Sequence, residues 1–421
     1  MSSIFDKNLK EISKFTFVPD GWYEASVSGV CTLGRGRVIS QEEIDRNPGI
    51  YPVYSSQTSN QGRMGSTATF DFDKELVTWT TDGANAGTVF YRTGKFNCTN
   101  VCGTLEPKRP STIDLKFLNY HLGRVAKNYV SYIGNPKLMN DVVARIAFVL
   151  PSNITEQQKI AKILTTVDNL IDRTEALIEK YQAIMQGMMH DLFTRGVDAN
   201  GHLRPHHQDA PHLYKKTELG WIPKEWYTRP LGDYFSYISY GFTNPMPETD
   251  NGPYMITAAN IFGGRIQYET TRHTAQKAFD TLLTKKSRPE IGDLLLTKDG
   301  TLGRLAIVDR EGVCINQSVA VLRTNELCEV SLIRYLLETE TYQQRMLDDA
   351  GGSTIKHIYI TVVDKMPIAL PIDKEEQRRI GSVIRILNNK LENENIYLNK
   401  LRKTKKGLMQ DLLTGRVRVQ A

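Results

Sequence analysis

One stretch of this 421-residue chain occurs twice, and the repeat limits the fold more than any other feature. Leu150-Pro151 is followed by Glu156-Gln157, Ile160, a long helical pattern, and Gly187-Met188-Met189-His190-Asp191-Leu192. Leu370-Pro371 is followed by Glu376-Gln377, Ile380, a similar pattern, and Gly407-Leu408-Met409-Gln410-Asp411-Leu412. Positions 150 and 370 are 220 apart, as are 192 and 412, so the copies align without a gap. A self-match at one fixed period marks a tandem architecture.

Each copy reads as one long helix. Ile160, Leu164, Val167, Ile171, Thr174, Ile178, Tyr181, Met185, Met188 and Leu192 step by four and three. Ile380, Ile384, Leu387, Leu391, Glu394, Leu398, Leu401, Lys405, Leu408 and Leu412 repeat that pattern. A stripe of period 3.5 held over several heptads predicts a coiled-coil seam rather than a helix laid on a globular core. Asn153 and Asp373 are placed to cap the helix starts, with Glu156 and Glu376 in the reciprocal position of a capping box. A helix of about 39 residues spans roughly 58 Å.

Two globular segments alternate with the helices. In the first, strand-like runs at Val53-Tyr54, Leu76 to Trp79 and Thr88 to Tyr91 are separated by Asn47-Pro48-Gly49, Asn60-Gln61-Gly62 and Asp82-Gly83. A helical piece near Ile113 to Tyr129 follows, which makes the segment α+β. In the second, Trp221-Ile222-Pro223 to Trp226 echoes Phe17-Val18-Pro19 to Trp22. Asp82 and Asp299 are 217 apart, as are Leu105 and Leu322, so the segments share a fold. The boundaries read 1–150 for the first globule, 151–197 for the first helix, 198–220 for a linker, 221–369 for the second globule and 370–421 for the second helix. The stretch from Arg195 to Gly220 holds Gly196, Asn200-Gly201, Pro205, Pro211 and the histidines His202, His206, His207 and His212; it reads as a polar, partly flexible loop, not a metal site. If it is short, the helices pair antiparallel and hold the globules at opposite ends, with pseudo-twofold symmetry. Such a spacer suits a bipartite target; on DNA, heads about 34 Å apart meet the same face of the duplex.

Composition narrows the partners. There is no run of 18 apolar residues, so no membrane span is predicted, and Met1 to Phe17 is too polar for a signal peptide. Cys31, Cys98, Cys102, Cys314 and Cys328 are odd in number and scattered, which fits a reducing cytoplasm better than a disulfide framework. The net charge of +6 suggests a polyanion partner only weakly, and Lys400, Arg402, Lys403, Lys405 and Lys406 cluster on the second helix. No phosphate loop occurs. Asn47, Asn135 and Asn244 begin Asn-Pro pairs without the residues that hold a flipped adenine, and Gly34-Arg35-Gly36 is too short for a methyl-donor loop. Asp114-Leu115-Lys116 lacks the acidic partner of a nuclease metal site, and Asp82-Gly83 and Asp299-Gly300 read as turns. No metal ligand set and no catalytic set emerges.

The repeated Leu-Pro, Glu-Gln and Ile approach to a long helix, ending at Asp411 to Gly415, resembles the conserved regions of type I restriction-modification specificity subunits. Glu218 to Pro223 is similar to the opening of a second target-recognition domain in that family. Tyr51 to Tyr54, Thr80 to Gly87, Thr297 to Gly303 and Ile315 to Ser318 resemble the core of those domains. Lys405 and Glu394 depart from an apolar stripe. The resemblance implies an α+β chain in which two similar target-recognition domains are separated by two long antiparallel coiled-coil helices. Each domain would read one half of an asymmetric, interrupted sequence in double-stranded DNA. The helices would set the gap and dock two DNA methyltransferase subunits, which bind S-adenosylmethionine. Restriction subunits would add ATP- and Mg-dependent translocation and cleavage. This chain would supply the address in a cytoplasmic complex and bind no cofactor itself.

Base readout needs donors and acceptors on loops between strands. Arg35, Arg37, Gln57, Asn60, Arg63 and Lys137 are the candidates in the first domain, and Arg265, Lys298, Arg304 and Lys356 in the second. Lys137 and Lys356 lie 14 and 15 residues before their Leu-Pro prolines. A self-contained DNA-modifying enzyme and a coiled-coil scaffold without a DNA role remain the alternatives.

Overall fold

The structure is a computed structural model, described over residues 17–348, 350–351 and 356–419. The polar N-terminal stretch judged not to be a signal peptide lies, except for Phe17, outside the described residues. The chain forms two compact units, residues 1–176 with 396–421, and residues 177–395.

Unit 1 is built on a four-stranded antiparallel sheet in the order Cys31–Arg35, Cys102–Pro107, Leu76–Thr80, Val89–Arg92. A second sheet runs Arg63–Thr67, Pro48–Tyr54, Lys95–Cys98, Phe72–Asp73, with Pro48–Tyr54 and Lys95–Cys98 parallel. Trp22–Ser26 pairs antiparallel with Ala147–Pro151, so the start of the domain is tied to the residues before the long helix. Helix α1 (Leu115–Val125) packs its apolar face on the first sheet. Its N-cap is Asp114, whose carboxylate accepts from Phe117 N at 2.8 Å, which accounts for the Asp-Leu-Lys triplet.

The long helix α2 covers Ile154–Arg195, 42 residues. Asn153 and Asp373 cap as expected, accepting from Thr155 N at 2.9 Å and Glu375 N at 3.0 Å. The capping-box reading of Glu156 and Glu376 is corrected. Both carboxylates are buried and accept instead from a core tryptophan and an arginine of their own unit.

Unit 2 repeats this frame. Phe235–Tyr240, Val319–Thr324, Leu294–Thr297 and Leu305–Ile307 form the four-stranded sheet. Glu248–Ile256 lies parallel to Val313–Ile315, as Pro48–Tyr54 does to Lys95–Cys98. Trp226–Pro230 pairs with Pro367–Pro371 in the register of the first unit, Trp226 opposite Pro371 as Trp22 is opposite Pro151. Val77 faces Leu105, and Leu294 faces Leu322, so the 217-residue offset holds for a strand pair.

Helix α3 spans Lys374–Leu412, 39 residues. In unit 1 its last turns lie against the first half of α2. Asp168 pairs with Lys405 at 2.5 Å and Glu175 with Arg402 at 2.6 Å, so the two segments run antiparallel. In unit 2 the end of α2 meets the start of α3, where Val197 N donates to Glu376 Oε1 at 3.1 Å. The stripe positions on both helices are buried or half-buried throughout, Thr174 included; its hydroxyl donates to Leu170 O at 2.8 Å. Lys405 serves the seam by ion pairing at its edge.

The helices complete each core. In unit 1, Trp22, Val77, Leu105, Phe117 and Phe148 cluster with Ile160, Leu164 and Leu412. In unit 2, Trp226, Leu294, Leu322 and Leu370 cluster with Leu192, Phe193, Ile380 and Ile384. Removing a tryptophan-sized surface from water contributes roughly 4–6 kcal/mol, so Trp22 and Trp226 are principal anchors of the two cores.

The reading of 198–220 as a partly flexible loop is corrected. Tyr214–Thr217 and Gly220–Pro223 form a hairpin, His207 stacks on Trp221 with ring centroids 5.4 Å apart, and Arg204 pairs with Glu376. Polar composition concealed one half-buried arginine, Arg204, that ties the segment to Glu376. Among the described residues, no group of three or more His, Cys, Asp or Glu is placed to hold a metal. All five cysteines are free and buried, and burial pushes the Cys31, Cys314 and Cys328 thiols up to about 12. Among the described residues, no helix is long and apolar enough to cross a membrane.

Candidate nucleic-acid interface

Each unit carries an aspartate just past its central strand, and cationic side chains gather on it. In unit 1 the strand Leu76–Thr80 runs into Thr81-Asp82-Gly83. Gly83 has φ +90°, a left-handed conformation that glycine adopts at low cost. Leu138 N donates to Thr81 O at 2.8 Å and Gly83 N to Pro136 O at 2.9 Å, fastening the loop before α2 to this turn. The Asp82 carboxylate then meets Arg35 at 3.2 Å and Lys137 at 3.9 Å. Arg35 also donates to Thr81 Oγ1 at 3.0 Å.

Unit 2 has the same frame around Asp299. Ile358 N donates to Lys298 O at 2.9 Å, the counterpart of Leu138 and Thr81. Lys298 Nζ donates to Asp299 Oδ2 at 2.8 Å, and His357 Nδ1 lies 2.5 Å from Oδ1. Burial alone would raise the Asp299 carboxyl; the hydrogen bonds from Lys298 and His357 outweigh it and hold the group below the usual carboxylate range. The Lys298 ammonium lies 5.7 Å from the Tyr240 ring centroid. Three positions surrounding the aspartate therefore carry Arg35, Thr81 and Lys137 in one unit, and Tyr240, Lys298 and His357 in the other.

The other candidates separate by environment. Arg37 is bound to Glu43 at 2.6 Å and Asp71 at 3.0 Å, and Arg265 is paired with Glu392 on α3. Arg304 donates to Ile261 O at 3.1 Å and lies over Phe262. Gln57 donates to Arg63 O at 2.5 Å, and Arg63 donates to Ser66 Oγ at 3.1 Å, so both brace one loop. Asn60 sits at the tip of that loop with φ +48°. Lys356 is exposed and has no ion pair among the described residues. Arg35, Lys137 and Lys298 alone of the ten lie at the aspartates.

Sequence reasoning missed three residues. His357, not Lys356, is the counterpart of Lys137: each bridges its aspartate's strand, and each lies 14 residues before its Leu-Pro proline. The 220-residue offset could have found it. Tyr132 and Ile133 form the exposed tip of the loop closed by the Ser131–Lys137 bridge, with 70% and 94% of their surfaces open to solvent. Two apolar residues ahead of Gly134-Asn135-Pro136 were the available signal. The Asp-Gly turns, read as simple connections, are the centres of both clusters.

The type I restriction modification DNA specificity domain matches residues 19–182 and 223–403. A putative type I specificity subunit of Mycoplasma pneumoniae is 48% identical over 141 residues, covering 33% of this chain and 74% of that protein. Another from the same organism is 41% identical over 153 residues, and this chain spans half of its length. The MjaVIII specificity subunit of Methanocaldococcus jannaschii is 26% identical over 99% of this chain and 97% of its own. A crystal structure of a type I S subunit from M. genitalium shares the fold with a TM-score of 0.64 at 18% identity, over 96% of this chain and 98% of that one. With the specificity domain matched once in each half of the sequence, this chain belongs to the type I restriction-modification specificity family.

Proposed function

We propose that this chain is the DNA-reading subunit of a type I restriction-modification complex, each domain addressing one half of an asymmetric, interrupted target. The observation that carries this reading is the duplicated aspartate frame with different side chains mounted on it. A shared frame presents donors at equivalent places, while Arg35 and Lys137 against Lys298 and His357 offer different chemistry to the bases. Two domains built alike and dressed differently suit two unlike half-sites.

In this reading α2 and α3 set the gap and receive two methyltransferase subunits. Those subunits hold S-adenosylmethionine and modify adenine, and restriction subunits contribute ATP- and Mg-dependent translocation and cleavage. The chain itself performs no bond-making step and works in the cytoplasm. Arg35, Lys137, Lys298 and His357 approach base edges; Arg37, Arg265 and Arg304 hold the surfaces in shape.

The test is a binding titration of the chain with its methyltransferase partners on three duplexes: one with both half-sites, and one with each half scrambled. Specific sites are typically bound 10³-fold or more tighter than random DNA. Scrambling either half is expected to remove most of that preference. Equal binding to all three duplexes overturns the reading.

A further inference from the structure

A cavity of about 610 Å³ in unit 1 is lined by five cationic side chains: Arg124 from the end of α1, and Arg402, Lys405, Lys406 and Arg416 from α3 and the turn after it. Met409 supplies an apolar wall. Two of the cations are already neutralised, Arg402 by Glu175 and Lys405 by Asp168. Lys406 and Arg416 are exposed and have no ion pair among the described residues. The Arg124 Nε is buried without a hydrogen-bond partner. Burial pulls the Arg124 pKa down, because nothing beside it compensates the charge. The cavity therefore holds more positive charge than the protein satisfies, and it calls for an anion.

The repeat narrows the choice of anion. At the 220-residue offset, Arg402, Lys403, Lys405, Lys406 and Arg416 correspond to Gln182, Ala183, Met185, Gln186 and Gly196. The helix copies agree at Lys180 and Lys400, Met189 and Met409, and Asp191 and Asp411, so the basic cluster belongs to one copy only. A protein partner docking on the repeated helix motif would meet the same chemistry on both copies. A cluster present on one copy only does not fit such a partner, and its unpaired cations suit the phosphates of the duplex that the proposed function supplies. Lys406 and Arg416, both exposed, leave two cations lining one cavity and unpaired among the described residues. Cations left without a protein partner neutralise phosphates of a polyanion.

We propose that this cavity is a phosphate-binding site through which unit 1, and not unit 2, holds the DNA backbone independently of base sequence. The proposal rests on the DNA-reading function above and adds a contact outside both aspartate clusters. Lys406 and Arg416 make the phosphate contacts, and Arg124 supports them from the wall.

The experiment compares the wild-type complex with K406Q/R416Q over a salt series, on cognate and scrambled duplexes. Each lost phosphate contact lowers the slope of log affinity against log salt by about 0.9. The double variant is expected to lose about 2 from the slope on both duplexes, with the ratio of cognate to scrambled affinity unchanged. Charge reversal, K406E/R416E, is expected to deepen the loss. Both side chains are exposed, so the melting temperature is expected to hold. An unchanged slope in a wild-type background that does discriminate overturns the site. Loss of the methyltransferase partner from the variant, with DNA slope intact, also overturns it and gives the cavity to an acidic protein surface. A wild type that fails to discriminate sinks the DNA-reading function instead.

Discussion

Arg418 forms a forked ion pair with Glu156, 262 positions earlier in the chain: Nε and Nη2 donate to the two carboxylate oxygens at 2.8 and 2.9 Å. Trp22 Nε1 donates to the same carboxylate at 3.3 Å. Unit 2 repeats the arrangement, with Arg204 forked onto Glu376 and Trp226 Nε1 donating at 3.2 Å. The residues following each long helix thus close the core of the unit in which that helix ends. A buried carboxylate with its arginine removed is an uncompensated charge, which is why these pairs matter more than surface ones.

Arg204→Ala is expected to cost about 3–5 kcal/mol of unit 2 stability, the range for breaking a buried pair. Arg418→Ala is expected to cost less, about 1–2 kcal/mol, because 43% of its side chain is open to solvent and the pair is partly screened. Thermal unfolding of the two variants checks the order. A larger loss from Arg418→Ala would contradict it.

Gly36 and Gly241 occupy equivalent places where the chain leaves the first strand of the four-stranded sheet. Gly36 N donates to Cys102 O, and Gly241 N to Val319 O. A Cβ would lie 2.2 Å from Cys98 O at position 36 and 1.9 Å from Ile315 O at position 241, against backbone that cannot swing away. Gly36→Ala and Gly241→Ala are each expected to cost at least 1–3 kcal/mol. Equilibrium denaturation measures this, and a neutral result at either position would count against the close crossing.

His121 is buried between Phe117 and Phe148, its Nδ1 without a partner, and burial lowers its pKa to about 3. The unfolded chain, with a value near 6.5, therefore takes up the proton first. The stabilisation is complete above about pH 6.5 and is lost as pH falls toward 3, at about 1.4 kcal/mol per pH unit. His121→Leu is expected to flatten the acid slope of unit 1 between about pH 6 and 4. An unaltered slope would contradict the neutral buried imidazole.

Asp82→Asn is expected to loosen Arg35 and Lys137, and Asp299→Asn to loosen Lys298 and His357. Each change is expected to reduce discrimination by about 1–3 kcal/mol at one half-site and to leave the other half unaffected. Methylation of duplexes mutated in one half at a time reads this out. A uniform loss on both halves would show that the aspartates hold general structure and not a reading surface.

The two long helices and the duplicated domain were legible in the sequence because periodicity and fixed offset carry that information. The Glu156 and Glu376 clusters were not. A glutamate three residues past a cap looks the same whether it turns back to the helix end or inward to an arginine far away in sequence. The linker histidines likewise hid Arg204. The candidate surface was less legible: Arg37 and Arg265 are paired with carboxylates, and His357, not its neighbour Lys356, takes the place equivalent to Lys137. Which cation reaches which acid is decided by the sheet order, and no local motif records it.

The most direct measurement is genome-wide mapping of methyladenine, by single-molecule sequencing, in host cells with and without this gene, the partner methyltransferase being expressed in both. Loss of modification at one interrupted, two-part motif is the expected result, and it would reveal both half-sites together. An unchanged set of modified motifs would contradict the assignment of sequence reading to this chain.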